Sequence, residues 1–215
     1  MEVLVLIVAV AAIVGFRMWQ GSGALDDLTS QPDDEIPLPD PRRRPARTDE
    51  GSGFAAIRRA DPRFDLDEFY ARVSEMFVAF HEAHARRDLR AARRFIDERF
   101  YPELVERMDS GQGSPPRGKL IVDRARAMTA RHEAGMDQVR VLITAHEGSA
   151  ESPHVQEYWT LVRRQGALTK ADLSLYKCPN CGAPTDGDDP TRCAYCGARL
   201  ADPALDWVVS RIDAD

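Results

Sequence analysis

FDLDEFYARVSEMFVAFHEAHA, Phe64 to Ala85, is where the chain first commits to a packed structure. Phe69, Val73, Phe77 and Phe80 recur at steps of three and four, which places them on one face of a helix. Asp65 precedes the apolar series and Glu68 follows three residues later, the arrangement of a capped N-terminus. Downstream, Asp88 opens a second predicted helix with Leu89, Ala92, Phe95 and Ile96 on one face. A third, short one begins at Phe100 and Tyr101, carries Pro102 in its first turn, and presents Leu104, Val105 and Met108.

A break at Gly111 to Gly118 ends the helical region, and the period then shortens. Leu120 to Glu133 reads two ways, because LIVD suits a strand and RARAMTARHE suits a helix. Val139, Val141, Ile143 and Ala145 alternate with Arg140, Leu142, Thr144 and His146, as in a half-buried strand. Val155, Glu157, Trp159, Leu161 and Arg163 mark a second strand, with Gln156, Tyr158, Thr160 and Val162 on its other face. Trp207 to Ile212 form the last. Helices followed by antiparallel strands make this an α+β domain, with expected limits 64–215.

All four cysteines of the chain lie between those last two strands, in KCPNCGAPTDGDDPTRCAYCG, Lys177 to Gly197. Cys178 and Cys181 form one C-x-x-C, and Cys193 and Cys196 another. A glycine after each pair, Gly182 and Gly197, allows a positive φ that turns amide N–H groups toward the sulfurs. The spacing predicts a closed tetrahedral zinc site over about 176–200, inserted in the sheet, with no position left for water and hence no Lewis-acid role. Disulfides, a redox C-x-x-C and an iron–sulfur cluster are the competing readings; a redox motif usually occurs once, on a helix N-terminus. The zinc expected here is structural, closing a long connection before the final strand.

The electrostatics argue against nucleic acid. The chain carries a formal charge of −6, four thiolates around one zinc ion make it more negative, and Asp186, Asp188 and Asp189 stand between the cysteine pairs.

Toward the N-terminus, Val3 to Phe16 is an unbroken apolar run that reaches about 19 residues with its flanks, enough for a short membrane span. Arg17 and Trp19 suit the interface on its C-terminal side. A cleaved signal peptide fits less well, since only Met1 and Glu2 precede the run and a basic n-region is missing. Residues 1–20 are therefore expected to be a transmembrane anchor, and 21–63, broken by Pro32, Pro37, Pro39, Pro41 and Pro45, a disordered linker. Arg42, Arg43, Arg44 and Arg47 are candidates for contact with anionic lipid headgroups. Thiolate zinc sites belong in reducing compartments. The expected placement is thus the cell (inner or plasma) membrane, single-pass, with the C-terminal domain in the cytoplasm.

Taken together, the apolar anchor, the Pro-rich linker, FDLDEFYARVSEMFVAFHEAHARRDLRAARRFIDERFYPEL, QEYWTLVR and the CPNCGAP…CAYCGA segment before DWVVSRI resemble the bacterial Tim44-like domain proteins over about Phe64 to Asp213. These are similar to the C-terminal domain of the tether subunit of the mitochondrial protein-import motor and to a mitochondrial large-ribosomal-subunit protein. The resemblance implies a cone of the nuclear-transport-factor-2 type, helices packed into a curved antiparallel sheet, and a membrane-associated scaffold that recruits partners. The chain departs from the mitochondrial tether in its membrane anchor and its cysteine insertion, and nothing in it matches the tether's chaperone-binding region.

Cones of that superfamily also host enzymes, and the candidate catalytic groups here are His81, His84, His132, His146, Glu157 and Tyr158. His81 and His84 share a helix face among many charged neighbours and are expected to be solvated; His146 is expected on an exposed strand face. No Ser–His–Asp set, P-loop or dinucleotide fingerprint occurs. The expected function is non-catalytic: a scaffold at the membrane that binds a protein or peptide partner, or lipid, rather than a small-molecule substrate. Tyr158 and Trp159 are the candidate groove residues. A small-molecule-binding or enzymatic cone and a ribosome- or RNA-associated protein are the alternatives.

Overall fold

The computed structural model describes residues 51–112, 119–148, 154–170 and 174–214. The predicted span at Val3 to Phe16 and the arginines Arg42, Arg43, Arg44 and Arg47 lie outside them. No helix among the described residues is long and apolar enough to cross a membrane.

Four helical segments precede a four-stranded sheet: α1 (Gly51–Ala60), α2 (Leu66–Ala85), a 3-10 helix (Leu89–Arg94), α3 (Tyr101–Asp109), then β1 (Leu120–Glu133), β2 (Met136–Glu147), β3 (His154–Arg164) and β4 (Val208–Ala214). The sheet is an antiparallel meander in the order β1-β2-β3-β4, so the α+β class holds.

The start of α2 follows its sequence signature. The Asp65 carboxylate accepts the N–H groups of Asp67 and Glu68 at 2.8 and 3.0 Å, satisfying two of the donors that a helix leaves unpaired at its N-terminus. Phe69, Val73, Phe77 and Phe80 are all buried, facing Val139, Val141 and Ile143 of β2 and Trp159 and Leu161 of β3 in one core. Trp159 receives Phe77 and Phe80, each at 5.6 Å between ring centroids.

Three expectations need correction. Residues 51–60 are not linker: α1 buries Phe54 and Ile57 in the main core. The composition of the preceding stretch masks these two apolar residues, which are read as core only once β1 provides the surface they cover. Gly53 is the point of closest approach, since a Cβ there would stand 2.0 Å from the Ala130 carbonyl oxygen of β1. Truncating Phe54 to alanine is expected to lower stability by about 3–5 kcal/mol. A chemical-denaturation midpoint measured on that variant checks this, and a loss under 1 kcal/mol would return the segment to the linker.

The second predicted helix is a 3-10 turn that stops at Arg94, capped by Asp88. It cannot include Phe95 and Ile96 because their backbone is used elsewhere. The Val209 N–H donates to the Phe95 carbonyl and the Asp97 N–H to the Val209 carbonyl, both at 2.8 Å, a short parallel bridge that covers the edge of β4.

The ambiguous stretch 120–133 is strand over its whole length, paired with β2 from Leu120↔Glu147 to Glu133↔Met136. Pairing overrides the helix-like spacing of RARAMTARHE. Ala134 and Gly135 close the hairpin, both at positive φ (50° and 76°), as the two-residue turn that matches strand twist requires.

Candidate functional site

The cysteine segment folds as two copies of one turn. The Cys178 and Gly182 amides donate to the Ala183 and Cys178 carbonyls at 2.8 and 2.9 Å. The Cys193 and Gly197 amides donate to those of Ala198 and Cys193, both at 2.9 Å. Gly182 and Gly197 adopt φ of 75° and 70°, as their position after each C-x-x-C requires.

The result is convergence. Cys178 Sγ lies 3.8 Å from Cys196 Sγ, and Cys181 Sγ lies 3.7 Å from Cys193 Sγ. All four sulfurs fall within 4.8 Å of one another, and all four cysteines are free. A tetrahedron with metal–sulfur bonds of about 2.3 Å has edges of about 3.8 Å, so the spacing fits a bound metal and is far too long for disulfides.

Thiol electrostatics point the same way. The Ala198 N–H and then the Asn180 side-chain amide push Cys196 down to about 6. At Cys181 the Ala183 N–H works in that direction too, but Cys196, burial and the remaining sulfurs outweigh it and push this thiol up to about 12. Four sulfurs this close do not all ionise without a cation among them.

The cysteine module is joined to the sheet domain rather than hung from it. Cys178, Cys193 and Leu200 form a small core of their own, while Leu175, just before it, is buried in the main core. Arg199 pairs with Glu98, and Arg94 donates to the Thr185 hydroxyl at 3.3 Å.

The proposed groove residues do not line an opening. Trp159 is fully buried, and its indole N–H donates to Glu157 at 2.7 Å. Tyr158, on the other face of β3, lies beneath the Arg140 guanidinium at 4.7 Å.

A cavity of about 270 Å³ occurs instead between α2, Thr169–Lys170 and the start of β4. Its walls include Phe64, Phe69, Val73, Met76, Leu161 and Trp207. Arg72 and Asp206 form an ion pair in its lining. Burial raises the Asp206 carboxyl above its ordinary value, with Arg72 pulling back. The buried Trp207 Nε1 and Arg72 Nε and Nη1 have no hydrogen-bond partner within the described residues. Sequence reasoning missed this site because Arg72 and Asp206 are 134 positions apart. The one local signal was the DW pair at the head of the last strand.

Two histidines also correct their expected exposure. His81 is buried against Phe77 and Phe80, with Nε2 3.1 Å from Glu157 Oε1. Glu157 lies on the core face of β3 and reaches it there. His84 stacks on Phe80, and burial followed by the nearby His81 holds it below its ordinary value. His146 is buried as well, its Nδ1 2.7 Å from Asp123 Oδ1. His132 pairs with the fully buried Asp137.

A model of the Tim44-like domain family matches residues 50–172. The match takes in α1 and ends before the cysteine module and β4. A search of curated proteins found no match.

Proposed function

Because the chain belongs to the Tim44-like domain family, we propose that it is a non-catalytic binding module that recruits a protein or peptide partner beside a membrane. In this reading Val3 to Phe16 anchors the chain in the cell membrane, residues up to about 50 tether it, and the domain faces the cytoplasm. Arg42, Arg43, Arg44 and Arg47 then meet anionic headgroups. The four-cysteine site holds structural zinc, borne by Cys178, Cys181, Cys193 and Cys196. The sheet and its helices form the curved cone that the family resemblance implies.

The cavity beside α2 carries the recruitment reading. At about 270 Å³ it falls below the roughly 300–1,000 Å³ of pockets that take whole small ligands. It suits one anchoring apolar side chain of a partner, set among Phe64, Phe69, Met76, Leu161 and Trp207.

A photo-crosslinking residue placed at Ala71, exposed at the cavity rim, is expected to trap one protein in living cells. A second replacement, Val73→Trp, which fills the wall, should abolish the adduct. A crosslink to lipid alone, or one indifferent to filling, would overturn the reading. Asp206 favours a second reading, since a buried carboxyl with raised proton affinity in a cavity also suits acid–base chemistry. A small-molecule adduct in the same experiment would support that one.

A further inference from the structure

We propose that Asp123, His146 and His154 form a binding site for a divalent transition-metal ion, separate from the four-cysteine site and independent of how that site is read.

The site is built by sheet register. His146 of β2 and His154 of β3 are direct cross-strand partners, so their side chains share one face of the sheet, opposite Val139, Val141 and Ile143. On β1, Ile121 pairs with His146 and Val122 with Ala145, but Thr144 is then met by Arg124 rather than Asp123. Asp123 is the extra residue of a β-bulge. Bulges re-aim a side chain that regular pleating would place elsewhere, and this one turns a carboxylate toward both imidazoles.

Asp123 Oδ1 lies 2.7 Å from His146 Nδ1, and Oδ2 lies 3.3 Å from His154 Nδ1. The three ligand atoms all fall within 4.8 Å of one another. Ligands bonded to one ion at about 2.1 Å stand about 3.0 Å apart in octahedral geometry and about 3.4 Å apart in tetrahedral geometry. The measured separations of 2.7 and 3.3 Å lie on either side of the octahedral value and below the tetrahedral one, so small side-chain rotations admit an ion.

The ligand chemistry selects the class of ion. Two imidazoles with one carboxylate suit zinc, nickel, cobalt, copper or ferrous iron, whereas magnesium and calcium favour an all-oxygen shell. The arrangement is also open on one side. The side chains of His146 and Asp123 are 10% and 33% exposed, but that of His154 is 53% exposed, leaving an approach for the ion and positions for water or a substrate ligand.

Zinc is the probe. The full-length chain is dialysed against zinc chloride, and bound metal is counted by elemental analysis in parallel with thermal melts. Two equivalents are expected for the wild type, with a further rise in Tm on adding the second. His154→Gln, at a half-exposed position, and Asp123→Asn are expected to bind one fewer equivalent, to show no zinc-dependent rise, and to melt like the wild type when zinc is limiting. His132→Gln serves as a control that keeps the wild-type count. An unchanged count in His154→Gln and Asp123→Asn would overturn the proposal and reduce the trio to a hydrogen-bonded cluster. Failure of the four-cysteine reading looks different: an equivalent missing from every protein alike, with the one sensitive to His154 still present.

Discussion

Replacing Cys178 and Cys181 with serine is expected to lower the melting temperature of the whole domain by about 10–20 °C, as is treatment with a strong chelator. The physical basis is position. β3 ends at Arg164 and β4 begins at Val208, so the cysteine module lies within the connection that brings β4 against β3. With a metal, the module is a rigid closure held by Leu175 in the main core and by the Arg199–Glu98 ion pair. Without it, the module keeps only its turn hydrogen bonds and the small core of Cys178, Cys193 and Leu200, and a long, loosened loop must be closed.

Structural zinc sites release about 10–16 kcal/mol on binding in isolated fingers. Transmission of about 5 kcal/mol of that to the sheet corresponds to the stated shift for a domain of this size. Differential scanning calorimetry with and without metal measures it. A wild-type melt in the serine variant would show that the module folds apart from the sheet and that β4 needs no help from it.

The second large effect is expected at Arg163. Its guanidinium is buried on the core face of β3, 2.8 Å from Asp61 and 3.8 Å from Asp137, both fully enclosed. It also lies over the Trp207 and Phe64 rings, at 4.7 and 5.7 Å. Arg163→Met keeps most of the side-chain volume but removes the cation beside two buried carboxylates, leaving Asp61 with Thr169 and Asp137 with His132, a change expected to destabilise by about 3–5 kcal/mol in urea unfolding at neutral pH. Adding Asp61→Asn to the variant should recover part of the loss, because it removes one of the buried charges that Arg163 offsets.

The pH dependence follows from Asp61. Burial would raise its carboxyl, but hydrogen bonds from Thr169 and Arg163 outweigh that and hold it below 3.8. A carboxyl depressed in the folded state stabilises above its unfolded value and loses that contribution as pH falls through the folded one. The wild type should therefore weaken below about pH 3.8. His84, held below 6.5, contributes an earlier decline, since the unfolded chain takes up its proton first. In Arg163→Met the Asp61 carboxylate loses the Arg163 hydrogen bond and charge that lower it and protonates more readily, so the gap between variant and wild type should narrow as pH drops toward 4. A gap that stays constant there would mean that Arg163 acts through packing alone.

Much of this architecture was legible in short stretches of chain. The Asp65 cap and the spacing of Phe69, Val73, Phe77 and Phe80 specify α2. The alternation from Val139 to Ala145 specifies β2. Two C-x-x-C-G units specify a four-sulfur centre by their spacing. Each rests on contacts between near neighbours, where backbone period and ligand spacing alone fix the geometry.

What the tertiary structure decided is the fate of the polar and ambiguous residues. α1 joins the core because β1 offers it Ala130. His81 is enclosed because Glu157 faces inward, and Trp159 fills the interior instead of lining an opening. Asp61 and Arg163 find each other across 102 positions and Arg72 and Asp206 across 134, while a single bulge brings Asp123 to two histidines on other strands. Burying a charged side chain is costly unless another group offsets it, and the partners that do so for Asp61, Arg163, Arg72 and Asp206 are chosen by strand register and chain topology, which no local pattern records.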